Sequence, residues 1–541
     1  MFKFGSSSSL GSKTNSSSSN LAIPKPEPVQ ALDNHIIALI CEELQFDTYM
    51  ALDQQLRTES HLAARQGLLS FGLASKAFLE PALNVLWRTL SSVEPLLSVL
   101  PETITVEGKK MLVKQIAPKS WDRLRFYTSR VHTFDQRILS ESEESSIHIS
   151  VYARLGQIYP IFPALAEFHP TISVSSSNSL MFFLSRTITM ASLPAFLPHA
   201  QTSRATEAEE EIDFGPSLSI MAWKSPGMQT LYLESDTRYS GFASSMACFN
   251  DLKSLRVVRL SHYDPDFFNG IASLQHLSYL NLSLPENALA SVDVSGISGG
   301  FPSLDTLRVS GSPGDIHKLL KLVSTSTLNE LRLTCNLHSV WEENRTGMPD
   351  LTRSLDRFSS LTIVEISSIS EIDLNLFDAQ FLWLLFSPIL RLPLLRKLVY
   401  ELPLFLTDQR TSEMAAAWPH IETLSLTSET WGEGIPPVES LRHFAEHCPE
   451  LTSLEFPVRV NFVVDIRPPS PPPPTMVMHS LRSFRCILYD EVKSPAIVAL
   501  HLYQIFPGIK WADGPGSGWS EVQSTLNAFH FLSRQNRQLL E

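Results

Sequence analysis

The 541-residue sequence has few cysteines and no excess of basic residues. Its 56 acidic residues outnumber its 43 lysines and arginines, which gives a formal net charge of -13. This charge argues against a general binder of nucleic-acid phosphates, and we expect no nucleic-acid partner. The cysteines are odd in number, far apart and set in apolar patterns, which is typical of reduced core residues in an intracellular protein. They are Cys41, Cys248, Cys335, Cys448 and Cys486.

The sequence also lacks a long uninterrupted apolar run. Its most apolar stretch, residues 374–406, is broken by charged residues such as Asp378, Arg391 and Lys397. A membrane-spanning helix needs about 20 predominantly apolar residues, so this stretch is predicted to be buried core. The first residues contain no apolar region typical of a secretory signal. We therefore expect no membrane partner and a cytoplasmic or nuclear location.

The feature that dominates the sequence is a recurring LxxLxL segment, in which three apolar anchors are separated by two residues and then by one. Ten copies are recognisable, and several follow a proline. Their anchors are Met228/Leu231/Leu233, Leu255/Val258/Leu260, Leu277/Leu280/Leu282, Leu304/Leu307/Val309, Leu328/Leu331/Leu333, Leu361/Val364/Ile366, Leu395/Leu398/Tyr400, Ile421/Leu424/Leu426, Leu451/Leu454/Phe456 and Leu481/Phe484/Cys486.

This repetition predicts an array of stacked units. The first anchors of successive copies are 22 to 34 residues apart, so each return segment is long enough for a helix. Leu441, Phe444 and Cys448 recur at helical spacing just before the anchor Leu451, which indicates one such return. The predicted fold is α/β, a leucine-rich-repeat solenoid of parallel strands with helical returns. Such arrays have extended surfaces that bind large partners.

The composition divides the chain into three parts. Residues 1–30 are a Ser- and Pro-rich tail predicted to be disordered. Residues 31–100 are predicted to form a small helical domain, and residues 101–541 the repeat domain. Loop insertions are predicted near 199–217, which contains an acidic run, and near 457–480, which contains a run of prolines.

The block before the repeats has a different pattern. Apolar residues recur at helical spacing from Leu32 to Leu44, and a second apolar helix is predicted from Leu69 to Phe78. A third segment ends in Leu86-Trp87-Arg88. Three helices of this size bury little apolar surface, so the block gains stability from packing on a neighbour.

These three segments, with Ser75-Lys76-Ala77-Phe78 in the second, resemble the F-box family, in particular the F-box proteins with leucine-rich repeats that are common in fungi. The resemblance covers about a tenth of the chain. It implies a three-helix F-box-like domain that binds the Skp-type adaptor of an SCF ubiquitin ligase, which contains a cullin, while the repeats select the protein to be ubiquitinated. The alternative is a helical cap that only covers the open edge of the first repeat.

The apolar helix faces of this block are the predicted contacts for the adaptor. Some of these residues must instead form the core of the block, and the pattern alone does not sort them. The candidates are Leu32, Ile36, Ile37, Ile40, Leu44, Leu69, Leu73, Phe78, Leu86 and Trp87.

A second candidate site lies on the predicted strands, where the residue between the last two anchors faces outward. Neighbouring strands are about 5 Å apart, so Arg308 and Arg332 are placed to hold one carboxylate or phosphate. We expect this concave face to bind an acidic or phosphorylated segment of a target protein. The alternative is that these arginines are ordinary solvated residues, partly neutralised by Glu330. The predicted binding residues are Tyr232, Arg259, Asn281, Arg308 and Arg332.

Two short motifs resemble those of enzymes. His443-Phe444-Ala445-Glu446-His447 has the HxxEH spacing of inverted zinc peptidases, but the same residues fit a return helix of the array. Gly296 to Gly300 match GxSxG, but a repeat strand follows instead of the helix that this motif requires. We expect no catalysis, no metal and no cofactor. The resemblance implies that the chain is an SCF-type substrate receptor, and the alternative is a repeat scaffold that acts without ubiquitin transfer.

Overall fold

The computed structural model describes residues 34–44, 54–136, 147–156, 160–170, 182–195, 215–235, 245–258, 263, 265–289, 300–323, 327–337, 341–369, 378–427, 435–461, 479–489 and 491–540. The chain divides into two compact units, residues 1–194 and 195–541. The predicted tail lies outside the described residues, as do 196–214 and 462–478, which cover most of the two predicted insertions. The tail and the insertions stay predictions.

The described part of the first unit begins with three helices, α1 (Asn34–Glu43), α2 (Gln54–Ala74) and α3 (Lys76–Arg88). The single helix predicted from Leu69 to Phe78 was wrong, because α2 ends at Ala74 and a new helix starts after Ser75. The backbone N–H of Ala77 donates to the side chain of Ser75, which caps the start of α3. Both α1 and α2 pack against α3. The side chains that form the resulting core are Ile37, Cys41, Leu68, Ala82, Val85 and Leu86.

A short parallel sheet follows these helices without a linker. Its first strand, β1 (Thr89–Leu90), continues directly from α3 and pairs with β4 (Thr133–Asp135). The antiparallel hairpin of β2 (Thr103–Val106) and β3 (Lys109–Leu112) lies between these two strands in the chain. The next strands are β5 (Glu167–His169) and β6 (Met190–Ala195). The sheet therefore starts at Thr89, within residues 31–100. The division between the helical domain and the repeat domain at residue 100 stays a prediction. The helices that accompany these strands are α4 (Glu94–Val99), α5 (Pro118–Thr128) and α6 (Ile149–Leu155).

In the described part of the second unit, eleven strands pair in chain order, and every recorded pairing is parallel. The strands are β7 (Thr230–Ser235), β8 (Ser254–Val258), β9 (Tyr279–Ser283), β10 (Thr306–Gly311), β11 (Glu330–Cys335), β12 (Ile363–Ser368), β13 (Lys397–Tyr400), β14 (Thr423–Leu426), β15 (Ser453–Phe456), β16 (Ser483–Cys486) and β17 (Trp511–Asp513). Most of the returns between them contain a helix, as the repeat spacing predicted.

Some helices of the second unit begin after a residue whose side chain caps the helix start. Ser312 and Asp378 each accept a hydrogen bond from a backbone N–H in the first turn of the helix that follows. These helices are α7 (Gly215–Lys224), α8 (Pro265–Ala272), α9 (Pro313–Leu322), α10 (Trp341–Ser354), α11 (Ala379–Phe386), α12 (Asp408–Ala417), α13 (Leu441–His447), α14 (Pro495–Ile505) and α15 (Trp519–Leu540). The last helix packs on α14 and on β17 at the end of the sheet.

The anchors of nine predicted copies are all buried, so the solenoid of stacked strand-and-return units is confirmed. In the remaining copy, predicted as Leu255/Val258/Leu260, the anchors lie three residues earlier in the chain than predicted. Leu231 of β7 pairs with Leu255, and the inward residues of that strand are Leu255 and Val257. The first anchor of this unit is Leu252, which is also fully buried.

The structure also describes the burial of the cysteines and the length and polarity of the helices. Four of the cysteines are buried thiols as expected, but Cys248 is exposed, so it is not a core residue. Within the described residues, no helix is long and apolar enough to cross a membrane.

Candidate functional site

The strands of the second unit present an outward row of side chains, which we call the central row. Its members occupy equivalent register positions on β7 to β17, and they alternate with the buried anchors. The central row consists of Tyr232, Arg256, Asn281, Arg308, Arg332, Glu365, Val399, Ser425, Glu455, Arg485 and Asp513.

A chain of ion pairs, which we call the charge ladder, crosses the middle of this face. Nη2 of Arg308 lies 3.1 Å from Oε1 of Glu330, and Nε of Arg332 donates to the same oxygen. On the other side of Arg332, Nη1 lies 2.7 Å from Oε2 of Glu365. Lys397 completes the ladder, with its Nζ 2.7 Å from Oε1 of Glu365.

The ladder is partly shielded from water. The side chains of Glu330 and Glu365 are 16% and 20% exposed, whereas the three cationic side chains are about one-third exposed. Three positive and two negative groups leave a net charge of +1. Shielding strengthens such pairs relative to fully exposed ones, and each carboxylate is held by two cations. Glu330 therefore neutralises Arg308 and Arg332 in part.

A cavity of about 280 Å³ opens beside the two arginines. It lies on the side of the central row toward the carboxyl ends of the strands, where the next outward row carries the hydroxyls of Ser310, Thr334 and Ser367. Oγ of Ser367 donates to Oγ1 of Thr334 over 3.2 Å. The residues that line the cavity are Asn281, Arg308, Val309, Ser310, Arg332, Leu333, Thr334, Glu365 and Ser367.

Arg308 keeps hydrogen-bonding capacity that the described residues do not satisfy. Its guanidinium carbon lies 5.5 Å from the centre of the Tyr279 ring, within the range of a cation–π contact. Its Nε is buried and makes no hydrogen bond to any described residue. An unsatisfied buried donor is uncommon in folded proteins and is a cost that functional sites tolerate.

The structure brings three of the five predicted target-binding residues together, since Asn281, Arg308 and Arg332 all line the cavity. Tyr232 lies two strands from Asn281, and its hydroxyl donates to Glu234 over 2.6 Å. Arg259 lies outside the described residues, and the register position expected for it belongs to Arg256, whose guanidinium lies 4.8 Å from the Tyr232 ring centre.

The hydroxyl row and Glu365 were not among the predicted site residues. The sequence contains a signal for the hydroxyl row. Because strand side chains alternate with a period of two, residues two positions after the central row face the same side of the sheet. Ser310, Thr334 and Ser367 each follow a member of the central row by two positions.

The helical block presents a second candidate surface. Ile36, Ile40 and Leu44 are exposed and recur every four residues, next to the buried pair Ile37 and Cys41. On α2, Leu69 is 45% exposed and Leu73 is 72% exposed. Leu39 and Leu79 are also exposed large apolar side chains. Leu32 lies outside the described residues.

The other predicted adaptor contacts have neighbours within the first unit. Ile37 and Leu86 belong to the core of the block. Phe78 is half-buried, and its ring stacks on Phe71 at 4.5 Å between ring centres. The ring of Trp87 packs on Tyr127 of α5 at 4.4 Å. These side chains hold the block together or fasten it to α5.

The HxxEH residues lie in the return helix α13, as expected. Phe444 is buried in the core of the array, and Nε2 of His443 lies 3.2 Å from Oδ1 of Asp408. No group of three or more potential metal ligands occurs among the described residues.

No family model matches this sequence, and no curated protein sequence matches it. Solved structures that match this chain include the following three. A protein from Bacteroides fragilis is 13% identical, with a TM-score of 0.30, over 50% of this chain and 73% of that chain. TLR13 in its complex with ssRNA13 is 11% identical, with a TM-score of 0.36, over 72% of this chain and 51% of that chain. The leucine-rich repeat-containing protein LegL7 from Legionella pneumophila is 12% identical, with a TM-score of 0.28, over 68% of this chain and 88% of that chain. This chain thus spans about half the length of the TLR13 chain.

Proposed function

We propose that this protein is a non-catalytic substrate receptor of an SCF-type ubiquitin ligase. In this proposal the helical block binds a Skp-type adaptor, and the repeats hold the target protein near a ubiquitin-loaded enzyme recruited through the cullin. The observation that carries the proposal is the row of exposed apolar side chains on α1 and α2.

These side chains are not needed to close the core of the block. Ile37 and Cys41 of α1 and Leu68 of α2 already fill it. Large apolar groups left in water cost free energy, about 25 cal/mol for each Å² that a partner could cover. Clustered exposed apolar groups on a small folded block are typical of a protein-binding surface.

The spacing of the exposed residues fits recognition through helix faces. Ile36, Ile40 and Leu44 are four residues apart, so they lie along one side of α1. Leu69 and Leu73 have the same relation on α2. Two such stripes offer a partner apolar anchors at helical spacing, which is the usual basis of helix-face recognition.

The repeats supply the target-binding half of the proposal. Extended arrays of parallel strands bind large partners through outward side chains. The cavity beside Arg308 and Arg332 combines charged and neutral donors on four neighbouring strands. This supports the capture of an acidic or phosphorylated segment of the target.

A second candidate function is a repeat scaffold without ubiquitin transfer, with the helical block acting as a cap. The contacts that favour it fasten the block to α5 and to the turn after it: Trp87 packs on Tyr127 of α5, and Arg130 pairs with Glu80 and donates to Asn84. A cap requires these contacts, but it gains nothing from the exposed Leu69 and Leu73.

The adaptor proposal is tested with purified full-length protein and a purified Skp-type adaptor, by biolayer interferometry. We expect binding at micromolar concentration or tighter, and loss of binding in the Leu69→Asp/Leu73→Asp variant. The control is Gly67→Asp, which adds one negative charge to α2, compared with two in the double variant, in open space about 160° around the helix from Leu69. No binding by the unaltered protein at about 10 μM, equivalent to less than about 7 kcal/mol, rejects the F-box assignment.

A further inference from the structure

Several hydrogen-bond donors line the cavity beside the charge ladder. Arg308 and Arg332 present guanidinium groups, and Asn281 presents an amide. The hydroxyls of Ser310 and Thr334 also line it, two positions after the arginines on the same strands. Such a set, gathered on neighbouring strands, suits a ligand that carries oxygen acceptors.

The guanidinium groups are held in place from outside the cavity. Glu330 precedes Arg332 by two residues, whereas Thr334 follows it by two, so the carboxylate and the cavity lie on opposite sides of the arginines. Glu330 binds both guanidiniums through one oxygen. A ligand can therefore meet two oriented arginines without displacing this internal carboxylate, which reduces the cost of ordering them on binding.

The charges around the cavity limit the charge of that ligand. The ladder has a net charge of +1, because Glu330 and Glu365 offset two of its three cations. A carboxylate carries one negative charge and balances the ladder. A phosphomonoester carries about -1.5 to -2 at pH 7 and leaves excess negative charge beside two shielded carboxylates. Glu365 lines the cavity itself, so its repulsion acts at short range.

We propose that this cavity binds a single carboxylate, from an aspartate or glutamate in an unphosphorylated acidic segment. The inference rests on the proposed function insofar as that segment belongs to the target held by the repeats. Arg308 and Arg332 bind the carboxylate, and Asn281 with the hydroxyl row binds the adjoining peptide groups. Glu330 is a positioning residue, and Glu365 selects against dianions.

The test uses three peptides: acetyl-Gly-Glu-Gly-amide and its counterparts with glutamine or phosphoserine in the centre. Each is titrated into the full-length protein and followed by ligand-observed NMR. We expect the glutamate peptide to bind with a dissociation constant on the order of 1 mM, because the cavity holds only one of its side chains. The glutamine peptide should bind at least about tenfold more weakly, because charge-assisted hydrogen bonds are lost. The phosphoserine peptide should bind no more tightly than the glutamate peptide.

Two variants separate the cavity from general charge effects. Arg332→Gln should weaken the glutamate peptide about tenfold or more, since it removes one of the two guanidiniums. Its matched control, Arg485→Gln, removes the same charge from the central row five strands away and should have no effect. Glu365→Gln raises the ladder to a net charge of +2 and should improve the phosphoserine peptide more than the glutamate peptide.

Three results overturn the inference. The first is that the glutamate peptide does not bind at about 10 mM, roughly ten times the expected dissociation constant. The second is that the unaltered protein binds the phosphoserine peptide more tightly than the glutamate peptide. The third is that Arg332→Gln and Arg485→Gln change the affinity for the glutamate peptide equally. Adaptor binding is measured separately on the same protein, and it depends on the helical block in the first unit. Failure of the cavity and failure of the receptor proposal are therefore distinguishable.

Discussion

Nη1 of Arg332 lies 2.7 Å from Oε2 of Glu365 on the neighbouring strand, in direct register. Both side chains are partly shielded, so the pair should stabilise the fold more than a fully exposed pair does. A double-mutant cycle with Arg332→Gln and Glu365→Gln should give a coupling free energy of about 1 kcal/mol in urea unfolding. A coupling indistinguishable from zero would mean that the ladder is ordered by the strands and adds nothing to stability.

The alternation of buried and outward residues predicts unequal costs at adjacent positions of β13. Leu398 is fully buried, whereas Val399 is half-buried on the outward face. Leu398→Ala should lower the free energy of unfolding by about 2–5 kcal/mol, because it removes core contacts and leaves a cavity. Val399→Ala should lower it by less than about 1.5 kcal/mol, since only part of that side chain is covered. Equal losses in urea unfolding would contradict the assigned register.

The unfolding free energy should fall as the pH is lowered below about 6.5, the ordinary pKa of histidine. Burial lowers the pKa of His479, and both ring nitrogens are used in the neutral form: Leu481 N–H donates to Nδ1, and Nε2 donates to the carbonyl of Cys448. Below pH 6.5 the unfolded chain binds a proton that folded His479 does not. The stability present above pH 6.5 is therefore lost progressively as the pH falls toward the folded pKa.

Urea unfolding at pH 7.5 and 5.5 checks this. His479→Gln should be less stable than the unaltered protein at pH 7.5, since it loses buried hydrogen bonds. Its stability should then change less between the two pH values. An unchanged pH dependence in the variant would exclude His479 as the group responsible.

The five thiols should differ in reactivity. Burial raises the pKa of Cys335 and of Cys448 to about 12, and Cys41 and Cys486 are also buried. Because the thiolate is the reactive form, these four should resist iodoacetamide at pH 8, whereas exposed Cys248 should be alkylated first. Peptide mass spectrometry of partly alkylated native protein reports the order. Early modification of Cys335 would indicate that β11 opens to solvent.

Much of the repeat array was predictable because a buried anchor leaves a strong apolar signal. Leu331 and Leu333 had to be apolar to fill the core, and their spacing defined the strand. The displaced copy shows the limit of this signal. Leu252, Leu255, Val258 and Leu260 allow two registers by composition, and only pairing with β7 places Leu255 and Val257 inward.

The candidate sites were less predictable, because outward residues have no single required chemistry. Arg308 and Arg332 were placed together by strand spacing, but their partners Glu330 and Glu365 depend on side-chain conformations that a pattern does not specify. On the helical block, helical spacing grouped Ile36 and Ile37, and only the packing of α1 on α3 decides which is buried.

The proposal requires that one chain carries two independent binding surfaces. The most direct test is to purify the full-length protein by affinity from its native cells and to identify the bound proteins by quantitative mass spectrometry. The unaltered protein should co-purify a Skp-type adaptor, a cullin and target proteins. Leu69→Asp/Leu73→Asp should lose the adaptor and the cullin but keep the targets, whereas Arg308→Glu/Arg332→Glu should lose the targets and keep the adaptor. Absence of adaptor and cullin from the unaltered protein, or their retention by the first variant, would contradict the account.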